Sequence, residues 1–429
     1  MQAFFKKIIV ILLQMEARAV LRKYKPKIIA VTGNVGKTST KDAIFTVLAS
    51  SFFVRKSEKS FNSEIGIPLT ILGLQNGWYN PFVWLKNIFL GFSLLLFPNH
   101  YPKWLVLEVG ADRPGDIKKT SLWLKPDIVV MTQIPEVPVH VEFFDTPENV
   151  IKEKGYLVAA LSSNGLFIVN GDDERALSLK NRTYASSLSY GFNEENAVQA
   201  SNADILYEDK KPSGVTFRVN RDGKSIPIRL RNVLGRQHIY PVLAAFSVGL
   251  SQGITMVRMG DVFEKAIFPP GRMRLIEGMS ESIIIDDTYN SSPTATKEAL
   301  ATLQQVSVSG RKIAVLGDML ELGKYSIEEH RNAGKMASGI CDLLISVGMR
   351  SRMTDVGGGA KRMGKKKREV FDTSVQAGEF LKTVVKKGDI ILVKGSQSIR
   401  MEKVVEAIMA HPEQKREFLV RQEDEWAKK

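Results

Sequence analysis

From Lys27 onward the chain alternates short apolar runs with stretches of helical spacing. The runs at 27–32, 104–109, 127–132 and 166–170 read as strands of a parallel sheet covered on both faces. Apolar positions at 38–50, 147–161 and 239–252 recur with the helical period. Residues 183–230 change character, and polar alternation around Asp222-Gly223 predicts a β-hairpin. Phe268-Pro-Pro-Gly271 then breaks the pattern and marks a domain boundary. Beyond it, fresh strands at 282–286, 312–316, 343–347 and 389–393 alternate with helices. This is an α/β chain of two domains, with no internal repeat.

Two apolar stretches stand outside that alternation, at 8–13 after Lys6-Lys7 and at 82–97. A membrane-spanning helix needs about 20 apolar residues. The first stretch is too short, and Lys86, Asn87 and the following Pro98 limit the second. Both read as amphipathic helices packed on the protein, with faces able to touch a membrane surface.

At 429 residues the chain is too long for one ordinary core, in agreement with two domains. A single cysteine, Cys341, excludes a disulfide framework and fits a reducing compartment. The net charge of +14 is concentrated at 22–27 and 361–368, the latter with the run Lys365-Lys366-Lys367. Such a surface suits nucleic acid, an anionic membrane or a polyanionic nucleotide. No aromatic-interleaved basic module is present, which sets nucleic acid aside. Solvated loops on a basic chain are the plainer reading.

The strongest chemical signal is Gly33-Asn34-Val35-Gly36-Lys37-Thr38-Ser39, placed between strand 27–32 and helix 38–50. Glycines let backbone N–H groups curl around phosphate oxygens, and the helix start adds its positive end. Lys37 would reach the β and γ phosphates and Thr38 would offer its hydroxyl to magnesium. The glycine of the longer phosphate-loop pattern is replaced by Val31, so this is a shorter variant. Glu108 ends strand 104–109, at the carboxyl edge where open α/β sheets bind ligands. A hard carboxylate there suits magnesium on nucleotide phosphates. His140 follows the next strand and Lys154 lies on a helix; residue chemistry alone assigns neither.

With these motifs in place, the chain resembles the Mur ligase family, specifically the branch that adds D-alanyl-D-alanine. Thr32-Gly-Asn-Val-Gly-Lys-Thr-Ser-Thr-Lys41 is similar to the family's phosphate loop, and Phe61-Asn-Ser-Glu-Ile-Gly-Ile-Pro-Leu-Thr70 to its substrate loop. Leu107-Glu-Val-Gly-Ala-Asp-Arg-Pro-Gly-Asp-Ile117 looks like its acidic strand motif, and Glu153-Lys-Gly155 falls where the family carries a carbamylated lysine. Further matches are Pro270-Gly-Arg-Met273, Asp286-Asp-Thr-Tyr-Asn-Ser-Ser-Pro293, Val315-Leu-Gly-Asp-Met-Leu-Glu-Leu-Gly323 and Val393-Lys-Gly-Ser396, all in family order.

The resemblance implies a P-loop-type, mostly parallel central domain over 27–268 and a smaller Rossmann-like domain over 269–429; the residues before them, 1–26, read from their own composition as an apolar, basic helix. It implies ATP and two magnesium ions, one held by Thr38 and Glu108, the other by His140 and a carbamate on Lys154. Arg272 would contact the γ-phosphate, and Asp286 and Tyr289 would lie near ribose and base. Asn62 and Glu64 would lie near the substrate. The implied reaction adds D-alanyl-D-alanine to a UDP-N-acetylmuramoyl tripeptide through an acyl phosphate, in the cytoplasm, by a monomer.

Two departures are visible. Gly235-Arg-Gln-His-Ile-Tyr-Pro241 alters the family's adenine-reading residues, leaving His238 as a candidate. Only 26 residues precede Lys27, where typical members carry a domain that grips the UDP end. A related ligase acting on a lipid-linked wall precursor, and a P-loop ATPase without ligase chemistry, are the competing readings.

Overall fold

The computed structural model describes residues 2–58, 61–78, 80–138, 140–356, 368–423 and 426, with side chains from residue 8 onward and not at 355–356. Residues 361–367 of the second basic cluster lie outside the described residues.

The central domain is built on nine strands: β1 (Lys27–Thr32), β2 (Val54–Lys56), β3 (Trp104–Glu108), β4 (Ile128–Met131), β5 (Leu166–Asn170), β6 (Ser186–Gly191), β7 (Val198–Glu208), β8 (Lys211–Arg221) and β9 (Lys224–Arg231). Their spatial order is β2-β3-β1-β4-β5-β6-β7-β8-β9. Pairing is parallel from β2 through to β7 and antiparallel from β7 to β9. The expected hairpin turns at Asp222 and Gly223, both at positive φ (48° and 74°), and pairs Arg221 with Lys224. It is two strands of a three-stranded meander, because β7 adds to it along its outer edge.

Helices cover both faces of the parallel part. They are α1 (Gln2–Tyr24), α2 (Lys37–Ala49), α3 (Gly66–Leu72), α4 (Pro81–Leu96), α5 (Asp116–Leu124), α6 (Val141–Phe144), α7 (Pro147–Ala159), α8 (Glu174–Ser178), α9 (Ile239–Ser251) and α10 (Met256–Glu264). One face is closed by α2 and α9, whose Ile44, Val47, Val242 and Phe246 are buried with Val31 and Val130. The opposite face is closed by α1, α3, α5 and α7. Ile9, Leu13, Ala17 and Val20 of α1 share a core with Ile28, Ile67, Leu105 and Leu107. Burying each large aliphatic side chain contributes roughly 1.5–3 kcal/mol, so α1 is an integral layer of the central domain.

The second domain has six strands, β10 (Arg274–Gly278), β11 (Ser282–Asp287), β12 (Lys312–Gly317), β13 (Leu343–Val347), β14 (Arg368–Phe371) and β15 (Ile390–Lys394). Their order is β10-β11-β15-β12-β13-β14, antiparallel at β10 and parallel elsewhere. Helix α11 (Pro293–Gln305) follows β11. The boundary at 268–271 is crossed by backbone pairing as well as by the chain: Leu234 N–H donates to Met273 O (3.0 Å) and Leu275 N–H to Asn232 O (2.9 Å).

Candidate active site

The phosphate-loop turn forms because β1 ends beside β4. Gly33 has φ 138°, and a Cβ there would lie 2.0 Å from Thr132 Oγ1, so only glycine lets the chain pass. The N–H groups of Asn34 and Val35 donate to Gln133 O at 2.8 and 3.3 Å, tying the turn to the end of β4. Gly36, at φ 80°, then starts α2 without a side-chain cap and with no acid in the first turn. The positive end of α2 is therefore left for an anion.

Lys37 folds back over this turn, its Nζ 3.3 Å from Asn34 O. Burial pushes its pKa down, opposed by the charge of Glu108 and reinforced by that of Arg272. Glu108, buried at the tip of β3, accepts from Asn62 Nδ2 through Oε1 (3.2 Å). Its Oε2 is buried with no hydrogen-bond partner. An orphaned buried carboxylate oxygen is costly unless a cation completes it, so Glu108 fits a magnesium site.

His140 has a left-handed backbone (φ 67°) and begins α6. Its Nδ1 lies 2.7 Å from Glu321 Oε2 and its Nε2 3.8 Å from Asp112 Oδ1. Glu321 belongs to the second domain, and the contact with His140 holds its carboxyl below the ordinary range. The imidazole thus bridges the two domains as well as facing the cleft. Among the described residues, no three His, Cys, Asp or Glu side chains gather as a ready-made metal cage.

Lys154 is buried in α7, whose rotation is fixed by the preceding residue. The Glu153 carboxylate accepts from the N–H groups of Gly115 (3.0 Å), Ile117 (2.8 Å) and Lys118 (2.9 Å), capping α5. Burial, reinforced by the charge of Lys37, holds the Lys154 amine well below the usual lysine range. A neutral, nucleophilic amine is what addition to carbon dioxide requires.

The second domain supplies the facing wall. Asp286 accepts from Gly271 N–H (3.0 Å), Thr288 N–H (3.2 Å) and the Thr288 hydroxyl (2.6 Å), knitting the interdomain linker to the loop after β11. Gly271, at φ 71°, is needed there, since a Cβ would meet Val420 Cγ1 at 2.8 Å. Arg272 lies over the Tyr289 ring, 4.1 Å from its centre. His238 Nε2 is 2.8 Å from Arg272 O, which fixes the backbone carrying that guanidinium. Burial lowers the pKa of His238 to about 4, so the ring is neutral, donates through Nε2 and leaves Nδ1 as a buried acceptor without a partner.

A cleft of about 390 Å³ joins the two walls, running from Asn34–Ser39, Asn62, Glu108 and His140 to His238, Arg272 and Tyr289. Three expected site residues stand behind its wall: Gly33 shapes the turn, Lys154 lies in α7 and Asp286 has both oxygens engaged by backbone and Thr288. Its neighbour Asp287 lines the cleft and pairs with Lys394 at 2.6 Å. Glu64 is exposed and off the wall, unlike its neighbour Asn62.

The profile of the Mur ligase middle domain matches residues 86–249, and that of the Mur ligase glutamate ligase domain matches 271–397. The UDP-N-acetylmuramoyl-tripeptide--D-alanyl-D-alanine ligase of Buchnera aphidicola (subsp. Acyrthosiphon pisum) is 30% identical over 405 residues, covering 92% of this chain and 79% of that protein. The chain belongs to the Mur ligase family. The Bacillus subtilis ligase of the same name is 28% identical over 93% of this Mur ligase and 79% of its own length. MurF ligase from Thermotoga maritima, solved in complex with ADP, is 25% identical with a TM-score of 0.73, covering 93% of this chain and 83% of that one.

In this Mur ligase the cleft also holds groups that motif reading left without a role. Gln237, Glu298, Lys394 and Gln397 line it, and burial raises the Glu298 carboxyl to about 7. Lys394 was visible as part of Val393-Lys-Gly-Ser396, and its partner Asp287 as the second of the two acids that end β11. Arg421 carried no sequence signal: from the C-terminal segment it donates to Thr288 O (3.1 and 2.9 Å) and Tyr289 O (2.5 Å), bracing the loop under Arg272. A second cleft of about 480 Å³ shares His140, Asn290, Ser291 and Gln397 with the first and extends to Ser396, Arg400 and Trp426.

Proposed function

We propose that this Mur ligase uses ATP to join a carboxylate to an amine, adding D-alanyl-D-alanine to a UDP-N-acetylmuramoyl tripeptide. It acts as a monomer in the cytoplasm, at the inner face of the membrane. The observation that carries the reading is the phosphate-loop turn facing Arg272 across one cleft, with an unpaired Glu108 oxygen on the same wall.

Carboxylates do not condense with amines unaided, because the carboxylate is a poor electrophile. In the proposed reaction the substrate carboxylate takes the γ-phosphoryl group, giving an acyl phosphate and ADP. The amine of the dipeptide then attacks the acyl carbon, phosphate leaves, and one proton is released. The work of the protein is alignment and neutralisation of charge. The turn at 33–38 and Lys37 hold the β and γ phosphates, while Arg272, steadied by Tyr289, faces the transferring group. Magnesium, when bound, spreads the phosphate charge; Thr38 and Glu108 would hold one ion, and His140 with a carbamylated Lys154 a second. Asn62 would orient the sugar-linked substrate. Asp287, Tyr289 and His238 are proposed to face the nucleoside, and the second cleft to admit the dipeptide. Closure of the domains about 268–271 would exclude water from the acyl phosphate.

The test is phosphate release with carboxylate and amine supplied singly and together, with the product read by mass spectrometry. Release only with both, and a product of the expected mass, is the anticipated outcome. Release independent of the amine would mean an ATPase and overturn the proposal. A second reading, with a lipid-linked tripeptide as the carboxylate substrate, is favoured by the exposed apolar side chains of α4. Offering UDP-linked and lipid-linked tripeptides side by side decides between them.

A further inference from the structure

Helix α4 leaves an unusually large part of its apolar surface exposed for a helix on a protein surface. Its buried positions are Trp84, Asn87 and Gly91, with Leu94 and Leu95 half-buried against the core, while Phe82, Leu85, Phe89, Phe92 and Leu96, and Phe97 just past its end, face outward. Phe82 is 80% exposed, Phe89 67% and Leu96 63%. In water this arrangement is unfavourable, since burial of a phenylalanine is worth far more than burial of an asparagine. The inward side is nevertheless specific. Asn87 Nδ2 donates to Gln75 O (2.8 Å), Trp84 Nε1 to Trp78 O (3.0 Å), and Gly91 admits the Glu16 carboxylate, which would lie 2.1 Å from any Cβ there. The helix is therefore seated with its apolar side outward by design of its inner side.

Helix α1 continues the same surface. It runs in the same sense as α4: Glu16 meets Gly91, and Lys23 Nζ donates to Leu94 O (2.8 Å), Leu95 O (3.0 Å) and Phe97 O (2.9 Å). Its outward residues are Ile8, Ile11, Leu12 and Met15, then Arg18 and Arg22. The exposed stripe thus passes from apolar to cationic along the helix, ending beside Lys23 and Lys25. No acidic residue occurs between Glu64 and Glu108, and the one acid of α1, Glu16, points inward. A broad apolar face with a cationic end and no anions matches the chemistry of an anionic bilayer surface. Among the described residues no helix is long and apolar enough to cross a membrane.

We infer that α1 and α4 form a docking surface for an anionic lipid bilayer, with the α4 phenylalanines entering the headgroup–acyl boundary and Arg18, Arg22 and Lys25 engaging lipid phosphates. This deepens the placement at the inner membrane face proposed above and rests on it. The phosphate loop, at the start of α2, stays in the aqueous domain.

The test is sedimentation of the full chain with vesicles of phosphatidylcholine alone or mixed with phosphatidylglycerol, for wild type and for the double variant Phe89→Ser, Phe92→Ser. Both positions are outside the catalytic cleft, so ligation of soluble substrates serves as the control for folding. Wild type should pellet with the phosphatidylglycerol vesicles, release on added salt, and bind phosphatidylcholine about tenfold more weakly; the double variant should lose about tenfold in binding with ligation unchanged. Wild type remaining in the supernatant with both vesicles overturns the inference. So does a dimer in light scattering that the double variant splits, since a second copy would then own the face. Vesicle binding is read without catalysis, so failure of the ligase reading leaves a separate signature.

Discussion

Replacing Glu16 with methionine is expected to stabilise the protein, and by more at high pH than at low. Glu16 is only 8% exposed between α1 and α4, and its Oε2 has no hydrogen-bond partner. Burial raises its carboxyl from 4.5 to about 7. The unfolded chain loses this proton near 4.5 and the folded chain near 7, so between them the folded state binds more protons. Stability therefore falls as pH rises through that window and levels off above it. At about 1.4 kcal/mol per pH unit, the loss amounts to about 3 kcal/mol. Methionine has the same unbranched length and removes the charge without a large cavity. Urea unfolding of both proteins, followed by tryptophan fluorescence across this window, measures the difference. A small, constant gain below pH 4.5 should grow to about 3 kcal/mol above pH 7. A gain that is independent of pH across the window would refute the burial argument for this carboxyl.

Lys37→Ala and Glu108→Ala should each lower amide formation by at least about two orders of magnitude with the fold intact by circular dichroism, because Lys37 neutralises charge at the transferring phosphoryl group and Glu108 would hold the magnesium that does the same. Lys154→Ala should be severely impaired and partly rescued by short-chain carboxylic acids; carbon-13 NMR with labelled bicarbonate should show a carbamate signal in wild type that the variant lacks, and its absence in both would sink the carbamate assignment. Lys394→Met leaves Asp287, partly exposed at the cleft, without its 2.6 Å partner and should destabilise the protein by about 1–3 kcal/mol in thermal unfolding, with part of the loss recovered by adding Asp287→Asn. Gly33→Ala should abolish nucleotide binding measured by calorimetry, since its Cβ would sit 2.0 Å from Thr132 Oγ1; unchanged affinity would mean that the turn is not the phosphate cradle.

Much of this protein was legible in residue order, because its signals are local. The strands at 27–32, 166–170 and 343–347 are apolar runs bounded by polar or turn residues, and they form at those bounds. The Asp222-Gly223 turn dictates its own hairpin, as only residues tolerant of positive φ make that connection. The glycine-rich turn, Lys37 and the acid at the tip of β3 were likewise readable, since strand, turn and helix are contiguous in the chain. What the sequence left open depends on residues far apart. Lys154 was an ordinary helical lysine until burial in α7, with Lys37 nearby, depressed its amine. Which of two adjacent acids faces the cleft was decided by β11: Asp286 turns inward to hold Gly271 and Thr288, leaving Asp287 for Lys394. Arg421 reached the loop beneath Arg272 only because the C-terminal segment folds back across more than a hundred residues. The outward phenylalanines of α4 read from sequence as one more packed amphipathic face. Only the tertiary structure showed which side was used, because Gly91 and Asn87 accept close neighbours and the phenylalanines cannot.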